Sequence, residues 1–565
     1  MNNKKGFTLV ELLAVIAILA ILVIIALPNV INMYTKAKKN TFLTEAQNVI
    51  RSASNKFIEE SIQGKNIIKI SSDDNELNLT NKKIKYYIEL DKNGKVKNYT
   101  ISNSNYCLSS SKSYEELKID DVVNEECGEF VTYEFYVSST GNDNNSGTNK
   151  NNPLASIEKA YQLIGEKNGI IYLLSDINLQ NMEFRNGKKI QIVGYGEKRI
   201  ITNEISRKIA DDEYYRAGAS INVNNQTNVE IKNIILDSNK IRGISISDST
   251  LIMNDSEIKN GYSYQAGGVC ISSDNSNITL NNTNIYDCDS ASFSAIDLRG
   301  GILKLNNCNI YDNKGRINWG GALGITHEAT AYINDGSIKN NNHSSSAGAI
   351  YVDETSKLTM NNVLVENNVA SGFSSSGGAI YAKGNLIVKN SIFTNNRSGK
   401  GGAIEFSSES TIQNSKFYNN SSNHSGGAIY GGGSSKNETN IEDCYFEGNT
   451  TSSNGGAITM SLRPVNIKRS EFISNKAKWG GAISLYEKSV IESCSFKSNT
   501  SSSGGGAISA NNIILRNSTI LGNSSSEKWS SISGSNNTFE NTIIDGTCTN
   551  PTATWLEVNC TSLLK

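Results

Sequence analysis

Asp297, Arg299, Asp353, Lys383 and Glu405 each stand one or three places beyond the isoleucine of a recurring Gly-Gly-Ala-Ile tetrapeptide or its variants. In a strand those positions point away from the face that holds the isoleucine. Acids on such a face are the residues polysaccharide chemistry needs. A carboxyl pair hydrolyses a glycosidic bond, and acids with calcium and a basic residue serve a lyase. Asp353 and Glu405 lie two repeats apart, which predicts a separation of roughly 10 Å if they share a register. The competing reading is a scatter of solvated charges. Tyr351, Tyr381 and Tyr430 follow the isoleucine directly. They form a candidate outward aromatic stripe for stacking on sugar rings or on a partner protein, although tyrosine is also simply a good strand former. No metal centre or cofactor is expected. There is no Cys-x-x-Cys, and His327, His343 and His424 fall in different repeats. Cys308, Cys444 and Cys494 share one column and read as small buried core residues.

The elements that position these residues repeat. The tetrapeptide alanine recurs at 322, 349, 379, 403, 428, 457, 482 and 507. Degenerate copies run upstream at Gly267-Gly268-Val269, Arg242-Gly243-Ile244 and Gly218-Ala219-Ser220. Ahead of the tetrapeptides stands a second signal, an aromatic followed two intervening residues later by asparagine: Phe393/Asn396, Phe417/Asn420, Phe446/Asn449, Phe472/Asn475 and Phe496/Asn499. A period in the twenties implies stacked units, because one such unit cannot bury its apolar face alone. Small residues two places before the aromatic leave room for the large ones in every layer. The glycines supply positive φ at a corner, the alanine after them leaves room there for the next coil's backbone, and the asparagines are placed to form amide ladders at the strand spacing. About thirteen coils at roughly 4.8 Å give a rod near 60 Å long.

These two signals together resemble the repeats of polymorphic outer-membrane proteins and related adhesins. Upstream, Tyr136-Val137-Ser138, Gly141-Asn142-Asp143, Gly147-Thr148 and Asn152-Pro153 are similar to the start of pectate-lyase-like β-helices. That resemblance implies a first strand, a turn and a short capping helix over about 154–166, which protects the open end from pairing with other chains.

The first 28 residues, MNNKKGFTLVELLAVIAILAILVIIALP, are of another kind. A basic leader ends at Gly6, and the run Phe7–Leu27 holds only Thr8 and Glu11 as polar side chains. Such a run reaches about 30 Å as a helix, the thickness of a bilayer core. A carboxylate within it costs roughly 2.5–3.5 kcal/mol at the bilayer centre, so Glu11 needs a reason. A secretory signal peptide would end in a small-x-small cleavage site, which is absent before Pro28. A plain anchor leaves Glu11 unexplained. Lys4-Lys5-Gly6-Phe7-Thr8-Leu9-Val10-Glu11 resembles the class III signal of type IV pilins and pseudopilins. The resemblance implies cleavage between Gly6 and Phe7 by prepilin peptidase and N-methylation of Phe7. It also implies pairing of Glu11 with the N-terminal amine of a neighbouring subunit, which supplies the opposite charge a buried carboxylate lacks.

Beyond Pro28, Phe42, Ala46, Val49, Ile50, Ala53 and Phe57 recur at spacings of three and four and predict an apolar helical stripe. The helix is expected to stop near Gly64. A hairpin is predicted where 84–90 and 96–101 flank Lys92-Asn93-Gly94. Cys107 and Cys127, and likewise Cys548 and Cys560, are candidate disulfides, the alternative being unrelated thiols.

The expected fold is α+β at the N-terminus, a long hydrophobic helix with a small β head, then an all-β right-handed parallel β-helix. The expected divisions are a leader at 1–6, a helix at 7–62 with 7–27 for membrane and assembly, and a head at 63–130. A capped β-helix at 131–540 and a C-terminal cap at 541–565 follow. With 54 basic against 55 acidic residues, the chain has no field for nucleic acid. The pilin resemblance implies a subunit held in the cell membrane by one helix and then extracellular, and the bulk of the β-helical passenger beside a tightly packed helix makes a minor subunit the expectation. It would pack against other pilin subunits and present the solenoid to a glycan or protein ligand. A membrane-anchored carbohydrate-active enzyme and an anchored surface protein outside any fibre are the alternatives.

Overall fold

A computed structural model of the chain describes residues 9–544, except 63–68, 73–76, 78, 80–82, 125–126, 128–131, 180, 204–218, 264–266, 317–319, 434–438 and 527–530. Side chains are described from Met33 onward. The chain divides into two compact units, Met1–Tyr133 and Glu134–Lys565.

In the first unit, helix α1 spans Leu9–Ile62. Its predicted stripe is buried, with Phe42, Ala46, Val49, Ile50 and Ala53 each at most 2% exposed and Phe57 at 8%. Burial of each large member contributes about 1.5–3 kcal/mol. The stripe packs on Ile70, Ile88, Tyr99, Ile101 and Leu108 of an antiparallel sheet. That sheet runs β1 (Lys69–Ser71), β2 (Lys85–Leu90), β3 (Val96–Ser102) and β4 (Cys107–Ser110) in spatial order. The β2–β3 turn is set by Asp91, whose Oδ1 accepts from the backbone N–H groups of Asn93 and Lys95. Gly94 adopts φ +80° and lies against Phe57, where a Cβ would stand 2.3 Å from the ring. A disulfide joins Cys107 and Cys127, with Cα atoms 4.8 Å apart.

The second unit is a large right-handed solenoid of about 13 turns. Its first turn is closed by α2 (Ile157–Ile164), the expected capping helix. Ser156 is the N-cap and accepts from Lys159 N–H. Asp143 accepts from Ala155 N–H, Ser156 N–H and the Ser156 hydroxyl, fixing the approach to the helix. Ile157, Ala160 and Ile164 face inward.

Most of the described turns carry three main strands, which pair in parallel with the turns before and after. In one turn they are Ile404–Phe406 on the first face, Ser410–Gln413 on the second and Lys416–Tyr418 on the third. A fourth, narrow sheet, represented by Arg397–Lys400, links the third face to the next tetrapeptide. On the third face Phe393, Phe417, Phe446, Phe472 and Phe496 stack with centroids 4.7–5.0 Å apart and planes within 8°. Beside them runs the asparagine ladder. Asn396, for example, donates from Nδ2 to Asn420 Oδ1 at 3.0 Å and to the Val365 carbonyl at 3.0 Å. Its backbone N–H donates to that same Asn420 oxygen. The pattern repeats from Asn313 to Asn523, every member at most 7% exposed. Each amide in mid-ladder is thus fully used, which burial requires.

The two glycines of the tetrapeptide do different jobs. The first sits at positive φ, as at Gly401 (+59°). The second is the point of closest coil-to-coil approach, where a Cβ on Gly402 would lie 2.0 Å from the Gly427 carbonyl oxygen. The sequence reading assigned that clearance to the alanine; the second glycine provides it.

Candidate functional site

On the first face the residue after the tetrapeptide isoleucine forms one continuous column. Asp297, Gly324, Tyr351, Tyr381, Glu405, Tyr430 and Thr459 register one to the next. The column brings the three predicted tyrosines together, with Glu405 between Tyr381 and Tyr430. They do not form the open stripe expected of them. Tyr351 is only 5% exposed, and Tyr381 and Tyr430 are half-buried. The cause is the chain between the ladder asparagine and the next Gly-Gly, which folds over the column. Ala347 and Phe293 close on Tyr351, and Phe293 occupies the space that Gly324 leaves empty. Desolvation pushes the Tyr351 and Tyr381 hydroxyls up to about 12.

The expected acid pair does not form. Glu405 registers with Tyr381 and Tyr351, whereas Asp353 lies two residues further along its strand. There Asp353 builds a turn. Its Oδ2 accepts from His327 N–H, and its Oδ1 accepts from the Thr355 N–H and hydroxyl. Although burial opposes it, these bonds and one from Ser356 hold the Asp353 carboxyl below its usual range. Lys383 is engaged with Glu354 at 2.8 Å. The acids that do share the column, Asp297 and Glu405, are four coils apart, roughly 19 Å. That is far beyond the 5–10 Å that two-carboxyl hydrolysis requires.

Glu405 and Asp297 are unusual in another way. Glu405 is 9% exposed, and its Oε2 has no hydrogen-bond partner; neither does Asp297 Oδ1. Burial raises Glu405 to about 7, with a bond from Ser376 and the charge of Lys400 pulling the other way. Burial raises Asp297 to about 6, opposed by Arg299, His327 and Arg242. A carboxyl raised above its unfolded value of about 4.5 stabilises most below that value and loses stability as pH climbs toward 7. We therefore expect Glu405→Gln to be more stable than the parent at pH 8, on the order of 2–3 kcal/mol, and indistinguishable from it at pH 4. Denaturant midpoints of both proteins at the two pH values check this. A pH-independent difference would show that ionisation of Glu405 is not the cause.

The three column cysteines are buried thiols. Cys444 and Cys494 are pushed up to about 12 by burial, and each S–H points to the carbonyl two residues before it. Among the described residues, no group of three or more His, Cys, Asp or Glu could hold a metal ion. A disulfide that sequence reasoning missed joins Cys270 and Cys288, both fully buried. Cys288 takes the place of the ladder asparagine, and its N–H donates to Asn313 Oδ1. A cysteine in the asparagine column, 18 residues from another cysteine, was the available signal.

Gly6 and Phe7 lie outside the described residues, as do Cys548, Cys560, the leader 1–6 and most of the predicted cap 541–565. Glu11 lies within α1, its side chain outside the described residues. Among the residues whose side chains are described, from Met33 onward, no helix is long and apolar enough to cross a membrane.

Comparison with known families adds three matches. The "Prokaryotic N-terminal methylation motif" matches residues 1–27. The "Right handed beta helix region" matches 323–489. The "Chlamydia polymorphic membrane protein (Chlamydia_PMP) repeat" matches 493–511. The chain joins a class III signal to a β-helix. The signal and the repeat together point to a secreted, surface-exposed protein of the adhesin or pilin type. Two solved structures are similar to the chain. A rhamnogalacturonan lyase is 13% identical, with 60% of this chain and 87% of that one covered and a TM-score of 0.28. A GH136 lacto-N-biosidase from Eubacterium ramulus is 10% identical, with 63% and 64% covered and a TM-score of 0.24. Scores this low bear on no activity. Among curated proteins none matches the chain.

Proposed function

We propose that this protein is a minor type IV pilin-like subunit. Prepilin peptidase processes it at Gly6–Phe7, its N-terminal helix assembles it into a pilus or pseudopilus, and it displays its β-helix for surface adhesion. The observation that carries this reading is the methylation motif over 1–27 running into a single helix, Leu9–Ile62, whose apolar stripe docks on a four-stranded antiparallel sheet. A signal peptide that is discarded would have no use for that continuity. A solenoid of this bulk suits a sparse or terminal subunit, because closely packed helices leave little room beside each neighbour. Before assembly the apolar segment 7–27 sits in the membrane, and Glu11 gains a partner charge only when another subunit's amine reaches it.

The mature chain is expected to begin at N-methylated Phe7, which intact-mass spectrometry reads directly. An intact Met1, or a start beyond Pro28, overturns the proposal. Glu11→Ala is expected to be processed normally yet to fall at least tenfold in sheared fibre fractions, because the pairing that orders assembly is gone. Equal incorporation of parent and variant, seen by immunogold labelling, would favour a surface protein that never enters a fibre.

A further inference from the structure

The coil that carries Tyr381 reaches its tetrapeptide by a detour. Ala349 and Ala379 are 30 residues apart, against 24 for Ala379 and Ala403. The extra residues form a strap over 371–376 that crosses the next coil. Gly399 lies beneath it, so close that a Cβ there would stand 2.8 Å from the Phe373 carbonyl oxygen. Gly399 N–H donates to Ser375 Oγ at 2.8 Å. The far end reaches the second coil on, where the Phe373 ring meets His424 edge-on at 4.8 Å and His424 Nε2 contacts the Phe373 carbonyl at 3.0 Å. Phe373 is 78% exposed, so this latch lies on the surface.

Under the near end of the strap lies Glu405. Ser376 bonds one part of its carboxylate, and Oε2 is left buried without a partner. Tyr381 and Tyr430 flank it in the column, and Lys400 Nζ sits 5.3 Å from the centre of the Tyr430 ring. A desolvated carboxylate oxygen with no donor is costly to keep, and the protein could have avoided the cost with the threonine or serine that later coils use there. An acceptor, a donor and two aromatic faces within one short stretch are what a sugar ring with adjacent hydroxyls requires.

We propose that Glu405, Lys400, Tyr381 and Tyr430 form a strap-covered subsite for a neutral hexose of a surface glycan. This rests on the adhesion reading above and names its ligand class. Glu405 Oε2 accepts a sugar hydroxyl, Lys400 donates to the neighbouring oxygen, and the Tyr430 ring takes the apolar side of the sugar. Release of Phe373 from His424 lifts the strap and admits the ligand.

The test uses the full-length protein in detergent at pH 7.5, titrated with neutral hexose oligosaccharides, with choline as a cationic probe of the same aromatic and carboxylate groups. The parent is expected to bind a neutral oligosaccharide and not choline. Glu405→Gln should bind it at least tenfold more weakly with an unchanged β-sheet spectrum. Phe373→Ala, which frees the strap without touching the subsite, should speed association severalfold. No neutral glycan bound by the parent, preference for choline, or equal binding by Glu405→Gln each overturns the proposal. Fibre incorporation is scored separately, so a failed subsite leaves the assembly reading standing.

Discussion

Asn420→Ala is expected to destabilise the solenoid by on the order of 4 kcal/mol, as is the loss of any other asparagine in mid-ladder. Four hydrogen bonds disappear together. Asn420 Nδ2 donates to Asn449 Oδ1 and to the Phe393 carbonyl, while its Oδ1 accepts from the backbone N–H and Nδ2 of Asn396. Each bond is worth about 1 kcal/mol net, and the partners left behind stay buried, where orphaned groups cost about 1–3 kcal/mol. Asn420 itself is fully buried, so water cannot replace what is lost. The comparison is Asn414→Ala. That asparagine is exposed, and its side chain donates only to Asn390 Oδ1. Its loss should cost about 1 kcal/mol, including the left-handed backbone at φ +47°. Urea unfolding of the two variants decides the matter, and equal midpoints would mean that the buried ladder contributes no more than a surface one. Asn420→Asp adds a second arm. It keeps the shape and the acceptor but aims a carboxylate at the Asn449 oxygen and the Phe393 carbonyl. Its damage should be greatest at pH 8 and shrink at pH 4, where the carboxyl can donate.

Gly402→Ala is expected to be comparably severe for a different reason. The added Cβ would meet three backbone atoms, Gly427 O at 2.0 Å and Ser421 N and O at 2.6 Å. Side chains can yield to an intruding methyl, but these atoms are fixed by the parallel ladder, in which Gly402 N–H donates to the Gly426 carbonyl at 3.0 Å. The coils must therefore part locally, at a cost of about 3 kcal/mol or more. Gly187→Ala is the contrast. Its φ is +70° but nothing lies within 4 Å of the added carbon, so only the backbone penalty of about 1–2 kcal/mol applies. Thermal melts of both variants separate crowding from conformational strain. Similar losses would show that positive φ, and not close approach, is what each coil demands of its glycines.

Most of the solenoid can be read from the chain because a stacked fold converts sequence period into spatial register. Phe393, Phe417, Phe446, Phe472 and Phe496 recur with the coil, and so they stack; Asn396 and its counterparts recur beside them, and so their amides join. The hairpin at Asn93-Gly94 and the capping helix after Ser156 are legible for a local reason, since a turn and an N-cap are decided within a few residues. The candidate site was read less well. Asp353 stands three places after its isoleucine and Glu405 one place after, so both point outward yet cannot share a column. Counting coils without counting positions within the strand produced the false pair.

The sequence by itself determined that a class III signal with an apolar N-terminal run leads into a long helix, a small sheet and a repeating β-helix, because hydrophobic period and repeat spacing are one-dimensional properties. Only the tertiary structure decided which outward residues meet solvent. The chain ahead of each Gly-Gly varies in length from coil to coil, and where a longer stretch such as 371–376 comes to rest depends on contacts with coils further along. That is why a stripe of tyrosines that reads as exposed is covered, and why an acid placed among them is buried with an oxygen unpaired. The pairing of Cys270 with Cys288 belongs to the same class, since only the fold brings Cys270 against Cys288 in the asparagine column.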